Sequence, residues 1–401
     1  MCLKLPGGIP AATVVVASIV ALAGAAFSHV LNSIVIAHQK FSLLVFCLPV
    51  VLWLTLELGN RVERLSVFLS RKLRLSSLAD SGSTSDLLMM PLCWLSHLAG
   101  ASVGRESVAV QMGRGISRIV GECFGLTQES SSRELLIRVG MASGFAAVFG
   151  TPWTALVFAF EWRPEQREDE LGRKSMFTEC GAQALGWAAL ASALSWFIVH
   201  RIFHVSHAQF VFKPQEFNLQ WFAFLIVILS FATGLGWAHN KSKIVFTNML
   251  DVCRRKMFLR VLLPSFLLLL FFLNDSNEIY RGLGLNLVDK AFSDTSSNGL
   301  DVWDPLIKSL LTTFCLSSGF KGGEVTPLLA IGASSGYALA DVLGVQTQAA
   351  AAVGYPLLFA VIFSVPLSCI ALSFEVFGFE NGVSGAVLCL FLLLKNYFRQ
   401  S

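Results

Sequence analysis

Long stretches without charge alternate with short charged clusters along the chain. Residues 5–39, 87–104, 139–160, 181–200, 217–240 and 342–374 contain no Asp, Glu, Lys or Arg. A helix of about 20 apolar residues spans the hydrocarbon layer of a bilayer, so the longer stretches predict transmembrane helices. Others are shorter: 41–56 and 325–340 have 16 residues each, and 381–394 has 14. Short and long runs, broken by Gly and Pro, predict an all-α membrane protein built from tilted, broken and re-entrant helices. The pattern yields ten to twelve membrane segments. The Ser/Thr-rich stretch 76–85 and Ser293–Asn298 read as loops.

An internal repeat supports the pattern. Val139, Gly140, Phe149, Pro152, Phe160 and Glu161 recur as Val353, Gly354, Phe363, Pro366, Phe374 and Glu375, each 214 positions on. Upstream, Gly104-Arg105-Glu106 matches Gly322-Gly323-Glu324 at an offset of 218. Two related halves are expected, residues 1–175 and 176–401, forming one membrane domain without a soluble regulatory domain. If the halves are inverted, the two glycine-led helix starts meet near the midplane.

Composition narrows the function. Hydrophobic residues make up 54% of the 401 and charged ones 14%, which excludes a disordered chain, a secreted disulfide scaffold and a soluble catalytic domain. The chain is therefore read as a non-enzyme. Its nine cysteines are scattered without a CxxC pair or Cys/His cluster, so neither metal nor cofactor is expected. Basic residues gather at Arg61, Arg64, Arg71, Lys72 and Arg74; at Arg163, Arg167, Arg173 and Lys174; and at Lys241, Lys243, Arg254, Arg255 and Lys256. By the positive-inside rule these segments face the cytoplasm, and none reads as a nucleic-acid patch. After Lys4 come 35 uncharged residues, too many for a signal-peptide core, so the first span is read as retained.

The chemistry lies at the glycine-led helix starts. A half-helix beginning inside the membrane offers backbone N–H groups and the positive end of its dipole to an anion. Ser102-Val103-Gly104-Arg105-Glu106-Ser107-Val108 has that form, with small residues for close approach and an apolar run to continue the helix. Glu106 stands where an anion would bind. Its ionised carboxylate is favoured by the amides and costly in low dielectric, which makes it a protonatable plug that links proton and anion movement. Pairing of Glu106 with Arg105 at a helix end is the plainer alternative. In the second motif, Gly322 and Gly323 permit a tight turn, Val325 and Thr326 open the helix, Thr326 offers a hydroxyl, and Pro327 suits a first turn. Glu324 is read equally well as a carboxylate stabilising its own helix dipole. Lys321 is expected to snorkel or to pair with Glu324.

These motifs resemble those of the CLC chloride channel and antiporter family. Gly104-Arg105-Glu106 followed by Val110-Gln111-Met112-Gly113 looks like its gating-glutamate motif. Phe320-Lys321-Gly322-Gly323-Glu324-Val325-Thr326-Pro327-Leu328 is similar to the version in the fluoride/proton antiporter branch. Further likeness lies in Gly144–Pro152, Tyr280–Gly284 and Pro366–Glu375, so that it covers residues 15 to 380. The resemblance implies a homodimer with one pore per subunit, inverted halves, cytoplasmic termini and a place in the plasma or inner membrane. It also implies Glu106 as proton-coupled gate and anion contacts from Gly104, Arg105, Ser107, Val108, Gly322, Gly323, Glu324, Val325 and Thr326. Ser107 replaces the glycine usual after the gating Glu. The inner-gate turn of the family falls near Ser66 and Val67 without its motif, and Tyr397, which reads as an interfacial aromatic, is a poor substitute for the branch's C-terminal tyrosine. Glu161 is a candidate for proton entry or a solvated helix end, and His97 reads as a packing residue.

Three functions follow: fluoride export in exchange for protons, a passive voltage- or proton-gated chloride channel, and a family member with an impaired transport path. The expected partners are halide anions, protons, the lipid bilayer and a second copy of the chain.

Overall fold

The computed structural model describes residues 8–73, 81–126, 130–162, 181–205, 210, 212–213, 215–253, 256–275, 278–293 and 299–400. Secondary structure among them is helical apart from one isolated β-bridge, between Gly104 and Gly323. The helices are α1 (Gly8–Lys40), α2 (Leu48–Leu73), α3 (Ser81–Leu98), α4 (Glu106–Cys123), α5 (Ser130–Phe149), α6 (Pro152–Glu161) and α7 (Gly181–Phe197). After them come α8 (Leu219–Asp251), α9 (Met257–Asn274), α10 (Leu285–Phe292), α11 (Trp303–Ser318), α12 (Val325–Leu343), α13 (Thr347–Phe363) and α14 (Pro366–Gln400). Gly378, at φ 75° and ψ 178°, breaks α14. Seven segments among the described residues are long and apolar enough to cross a membrane. Large apolar side chains such as Ile226, Trp237, Phe258 and Phe266 remain exposed on them, as lipid-facing residues do.

Two of the short apolar runs do not stop at their flanking charges. Run 41–56 extends to an 18-residue span, Ser42–Gly59, inside a helix reaching Leu73, and Glu57 is matched by Arg61 one turn on at 2.6 Å. Run 325–340 continues through Asp341 as the 19-residue α12. A single charge at a helix end meets a partner or the interface and leaves the backbone bonds intact. The stretch 76–85, expected as a loop, joins α3 from Ser81, while residues 76–80 and 294–298 lie outside the described residues. Asp86, 2% exposed, holds this end of α3 by accepting from Arg114 Nε at 2.8 Å, with Arg118 at 3.5 Å.

The chain forms two compact units. The first comprises Met1–Ser33, Leu56–Trp94 and Glu106–His207; the second comprises Ile34–Thr55, Leu95–Arg105 and Ala208–Ser401. In the first, α4 and α5 touch backbone to backbone: a Cβ at Gly113 would lie 1.9 Å from the carbonyl oxygen of Gly140. In the second, α12 and α13 meet in the same way, with a Cβ at Gly354 falling 2.1 Å from Gly332 O. Only glycine permits such approach, the usual means of bringing membrane helices together. The 214-residue repeat is visible in the backbone. α5 ends at Phe149, Gly150 turns at φ +83° and Pro152 opens α6, while α13 ends at Phe363, Ser364 turns at φ +55° and Pro366 opens α14. In each half the residue before the proline is pushed out of the helical region, so the chain breaks there and restarts.

Candidate functional site

Two helix ends in the second unit close with the same kind of cap. At the end of α3, Gly100 is left-handed (φ +78°), with its N–H on His97 O at 3.0 Å and Ala101 N–H on Ser96 O at 3.0 Å. At the end of α11, Gly319 is left-handed (φ +115°), with its N–H on Leu316 O at 3.1 Å and Phe320 N–H on Cys315 O at 3.3 Å. Both are Schellman caps, which satisfy the last carbonyls and turn the chain sharply. Four residues beyond each cap the two chain segments meet: Gly104 N–H donates to Gly323 O at 2.6 Å and Gly323 N–H to Gly104 O at 2.8 Å. The chain then enters α4 at Glu106 and α12 at Val325.

This pairing corrects the register read from the sequence. The caps at Gly100 and Gly319, and the bridge at Gly104 and Gly323, are all 219 residues apart, against the 218 that superposed Glu106 on Glu324. Glu106 therefore corresponds to Val325, the first residue of its own helix, and Glu324 to Arg105. Two acidic residues after glycine suggested equivalence, but the hydrogen-bonded bridge decides it.

Packing at the bridge is close. A Cβ at Gly104 would lie 2.8 Å from Pro327 Cδ and 3.0 Å from Gly323 O. The Ser102 and Thr312 hydroxyls are 3.0 Å apart, and both residues are fully buried. Lys321 N–H donates to Ser96 Oγ at 3.0 Å. From the other side, Lys308 of α11, fully buried, donates to Tyr280 O at 2.9 Å and Gly282 O at 2.8 Å, and Gly282 N–H reaches Gly100 O at 3.3 Å. Lys308 and Thr312 are one helical turn apart, so a single face of α11 braces both ends of segment 100–102.

The structure brings Gly104 and Gly323 into contact. Ser102, Val103, Val325 and Thr326 are buried around them, and Arg105, Gly322 and Glu324 are half-buried. In the first unit, Glu106 is fully buried as the opening residue of α4, followed by half-buried Ser107 and buried Val108. The partner of Glu324 is Lys243 of α8 and not the neighbouring Lys321. Glu161 ends α6, half-buried. Ser66 and Val67 fall within α2 and Tyr397 within α14, so the expected inner-gate turn is helical; these three side chains lie outside the described residues. The basic residues Arg163, Arg167, Arg173 and Lys174 also lie outside them. Thr312, Lys308 and Lys243 were not singled out as site residues. A hydroxyl or ammonium inside an apolar helix is the only sequence signal of Thr312 and Lys308, and Lys243 is marked only as part of a basic segment. Among the described residues no group of three or more His, Cys, Asp or Glu is placed to hold a metal.

Broken helices, capped by glycine and joined at their breaks, define a polytopic membrane protein of the transporter and channel class. The chain belongs to the voltage gated chloride channel family, which matches residues 85–392. It is similar to the chloride/fluoride channel protein of Pseudomonas syringae pv. tomato, at 30% identity over 76% of this chain and 66% of that one. With the H+/Cl− exchange transporter ClcA of Vibrio vulnificus it shares 27% identity over 69% of this chain and 59% of the relative. The chain thus spans under two thirds of the length of these relatives. The crystal structure of a CLC-type fluoride/proton antiporter matches with a TM-score of 0.78 at 27% identity, covering 96% of this chain and 94% of the other. A slow cyanobacterial Cl−/H+ antiporter shares the fold at a TM-score of 0.70 and 20% identity, covering 97% and 94%.

Proposed function

We propose that the protein exchanges fluoride for protons across the membrane, exporting fluoride, with Glu106 as the proton-coupled gate. The Gly104–Gly323 bridge carries this reading. It ties together the turns that lead into α4 and α12, whose first N–H groups have no partner within their own helix and favour an anion. The anion contacts assigned in this reading are Arg105, Gly322, Glu324, Val325 and Thr326 of the second unit, with Ser107 and Val108 following Glu106 in the first, and Glu161 takes up protons at the cytoplasmic end. Deprotonated Glu106 competes with a halide for the amides; protonated, it loses its charge and yields the place. Fluoride is chosen because a similar relative and a similar solved structure are both named for it. The three basic segments favour a topology with the termini and charged loops in the cytoplasm, and the plasma or inner membrane is taken as the protein's place. Two copies, each with inverted halves 1–175 and 176–401, form the working unit.

Purified protein in liposomes tests this. An outward fluoride gradient should drive proton uptake, and Glu106→Gln should abolish proton movement while leaving anion flow. Coupled proton movement surviving in Glu106→Gln removes the assigned role. Chloride flux without protons in the wild type would instead favour the second reading, a passive channel, which the name of the Pseudomonas relative supports.

A further inference from the structure

A seam of polar side chains runs between α8 and α11. His239, Ser242, Lys243 and Thr247 lie on one face of α8, and Ser309, Thr313 and Ser317 on one face of α11. They meet rung by rung. His239 Nδ1 is 2.9 Å from Ser309 Oγ, Ser242 Oγ donates to Thr313 Oγ1 at 3.1 Å, and Thr247 Oγ1 donates to Ser317 Oγ at 3.2 Å. Lys243 Nζ bonds the carboxylate of Glu324, the residue before α12.

Hydroxyl pairs of this kind hold membrane helices together. Adhesion does not account for His239. The residue is 1% exposed, and its Nε2 has no hydrogen-bond partner among the described residues. A buried ring nitrogen left in that state carries an uncompensated desolvation cost, and a water or a proton in transit satisfies it. Exposure rises along the seam, with the Glu324 side chain at 12% and Lys243 at 46%. His239 lies one turn, about 6 Å, further along α8 from the open end. Glu324 and Lys243 are the charged groups that act on the imidazole. From α11 it faces the hydroxyl of Ser309, and α13 presents Val361 and Ile362 against the neighbouring turn at Gly236.

We propose that His239 and Glu324 form a proton-loading pair for anion transport, with His239 as the inner station. A proton arriving at the open end binds a Glu324 oxygen and releases Lys243. It then passes through water to His239 Nε2: the O–H bond breaks, an N–H bond forms, and one positive charge moves inward. The carboxylate regenerated at Glu324 pairs with Lys243 again. This proposal rests on the proton-coupled reading above and adds to it a path that does not pass through Glu161.

The test uses the full chain in liposomes under a fluoride gradient, reading internal pH and external fluoride together. His239→Asn keeps an amide to meet Ser309 and removes the titrating group. The proton-to-fluoride ratio should fall roughly tenfold or more, with fluoride still flowing. Ser309→Ala retains the imidazole and frees Nδ1, so coupling should persist with a displaced pH profile; this second variant decides the matter should His239→Asn not fold. A wild-type ratio in His239→Asn, or an unmoved pH profile in Ser309→Ala, overturns the proposal while leaving fluoride/proton exchange standing. Fluoride flow without any proton movement in the wild type overturns both.

Discussion

Replacing Gly104 by alanine adds one carbon where the two turns touch. That carbon would stand 2.8 Å from Pro327 Cδ and 3.0 Å from Gly323 O. Carbon atoms pack at about 3.5–4.0 Å, and neither the proline ring nor a backbone carbonyl swings aside, so the turns must separate by roughly 0.7 Å. The bridge bonds, 2.6 and 2.8 Å in the native protein, then stretch beyond the useful limit of about 3.2 Å. Two lost bonds at about 0.5–1.5 kcal/mol each, with overpacking of about 1–3 kcal/mol partly relieved by the same movement, give a loss of about 2–4 kcal/mol. On the proposed reading, in which the turns carry the anion site, fluoride affinity should fall about tenfold or more, which corresponds to about 1.4 kcal/mol. Thermal unfolding in detergent, with and without fluoride, measures both quantities. Gly59→Ala is the control: it is exposed on α2 and has nothing within 4 Å of its Cβ position, so it should be neutral or stabilising by up to about 1 kcal/mol. A Gly104→Ala protein that unfolds with the control and binds fluoride as the wild type does would refute the reasoning.

Thr312→Val keeps the shape at position 312 and leaves the buried Ser102 hydroxyl without its partner, at a cost of about 1–3 kcal/mol, whereas Thr312→Ser retains the bond. Equal unfolding temperatures for the two variants would show that the hydroxyl pair contributes nothing. Tyr280 donates its phenolic hydrogen to Asp304, and burial, that bond and the surrounding carboxylates hold its ionisation above the usual tyrosine range. The protonated phenol therefore adds stability that is complete below about pH 10 and is lost as pH rises further. Tyr280→Phe should be less stable than the wild type at neutral pH by about 1–2 kcal/mol, and the gap should narrow above about pH 10. A gap that is constant across an alkaline unfolding series would contradict the assignment.

Much of the fold can be read in one dimension because its cause is local. Charge-free length marks a span, since a helix satisfies its own backbone bonds and lipid offers no alternative. The recurrence of Phe149 and Pro152 as Phe363 and Pro366 foretells two similar helix breaks, because a proline disfavours the helical region in the residue ahead of it, although Pro91, Pro264 and Pro356 lie inside helices that continue through them. Gly104 and Gly322-Gly323 announce tight turns for a similar reason. Local rules misjudge helix ends, however. Ser81–Ser85 looked like a loop and became helix in the element that Arg114 and Arg118 anchor at Asp86, and run 41–56 passed its flanking Glu57 because Arg61 lies one turn away.

Pairing across long separations is another matter. The sequence determined that two glycine-led helix starts exist. Only the folded chain decided that Gly104 meets Gly323 and not Gly322, moving the equivalent of Glu106 from Glu324 to Val325. It alone matched Glu324 with Lys243, 81 residues away, and Ser102 with Thr312, 210 away. Hydrophobic pattern and backbone preference act over a few residues. Which hydroxyl or ammonium faces which turn depends on helix rotation and close backbone contact at places such as Gly332 and Gly354, and no local pattern encodes those.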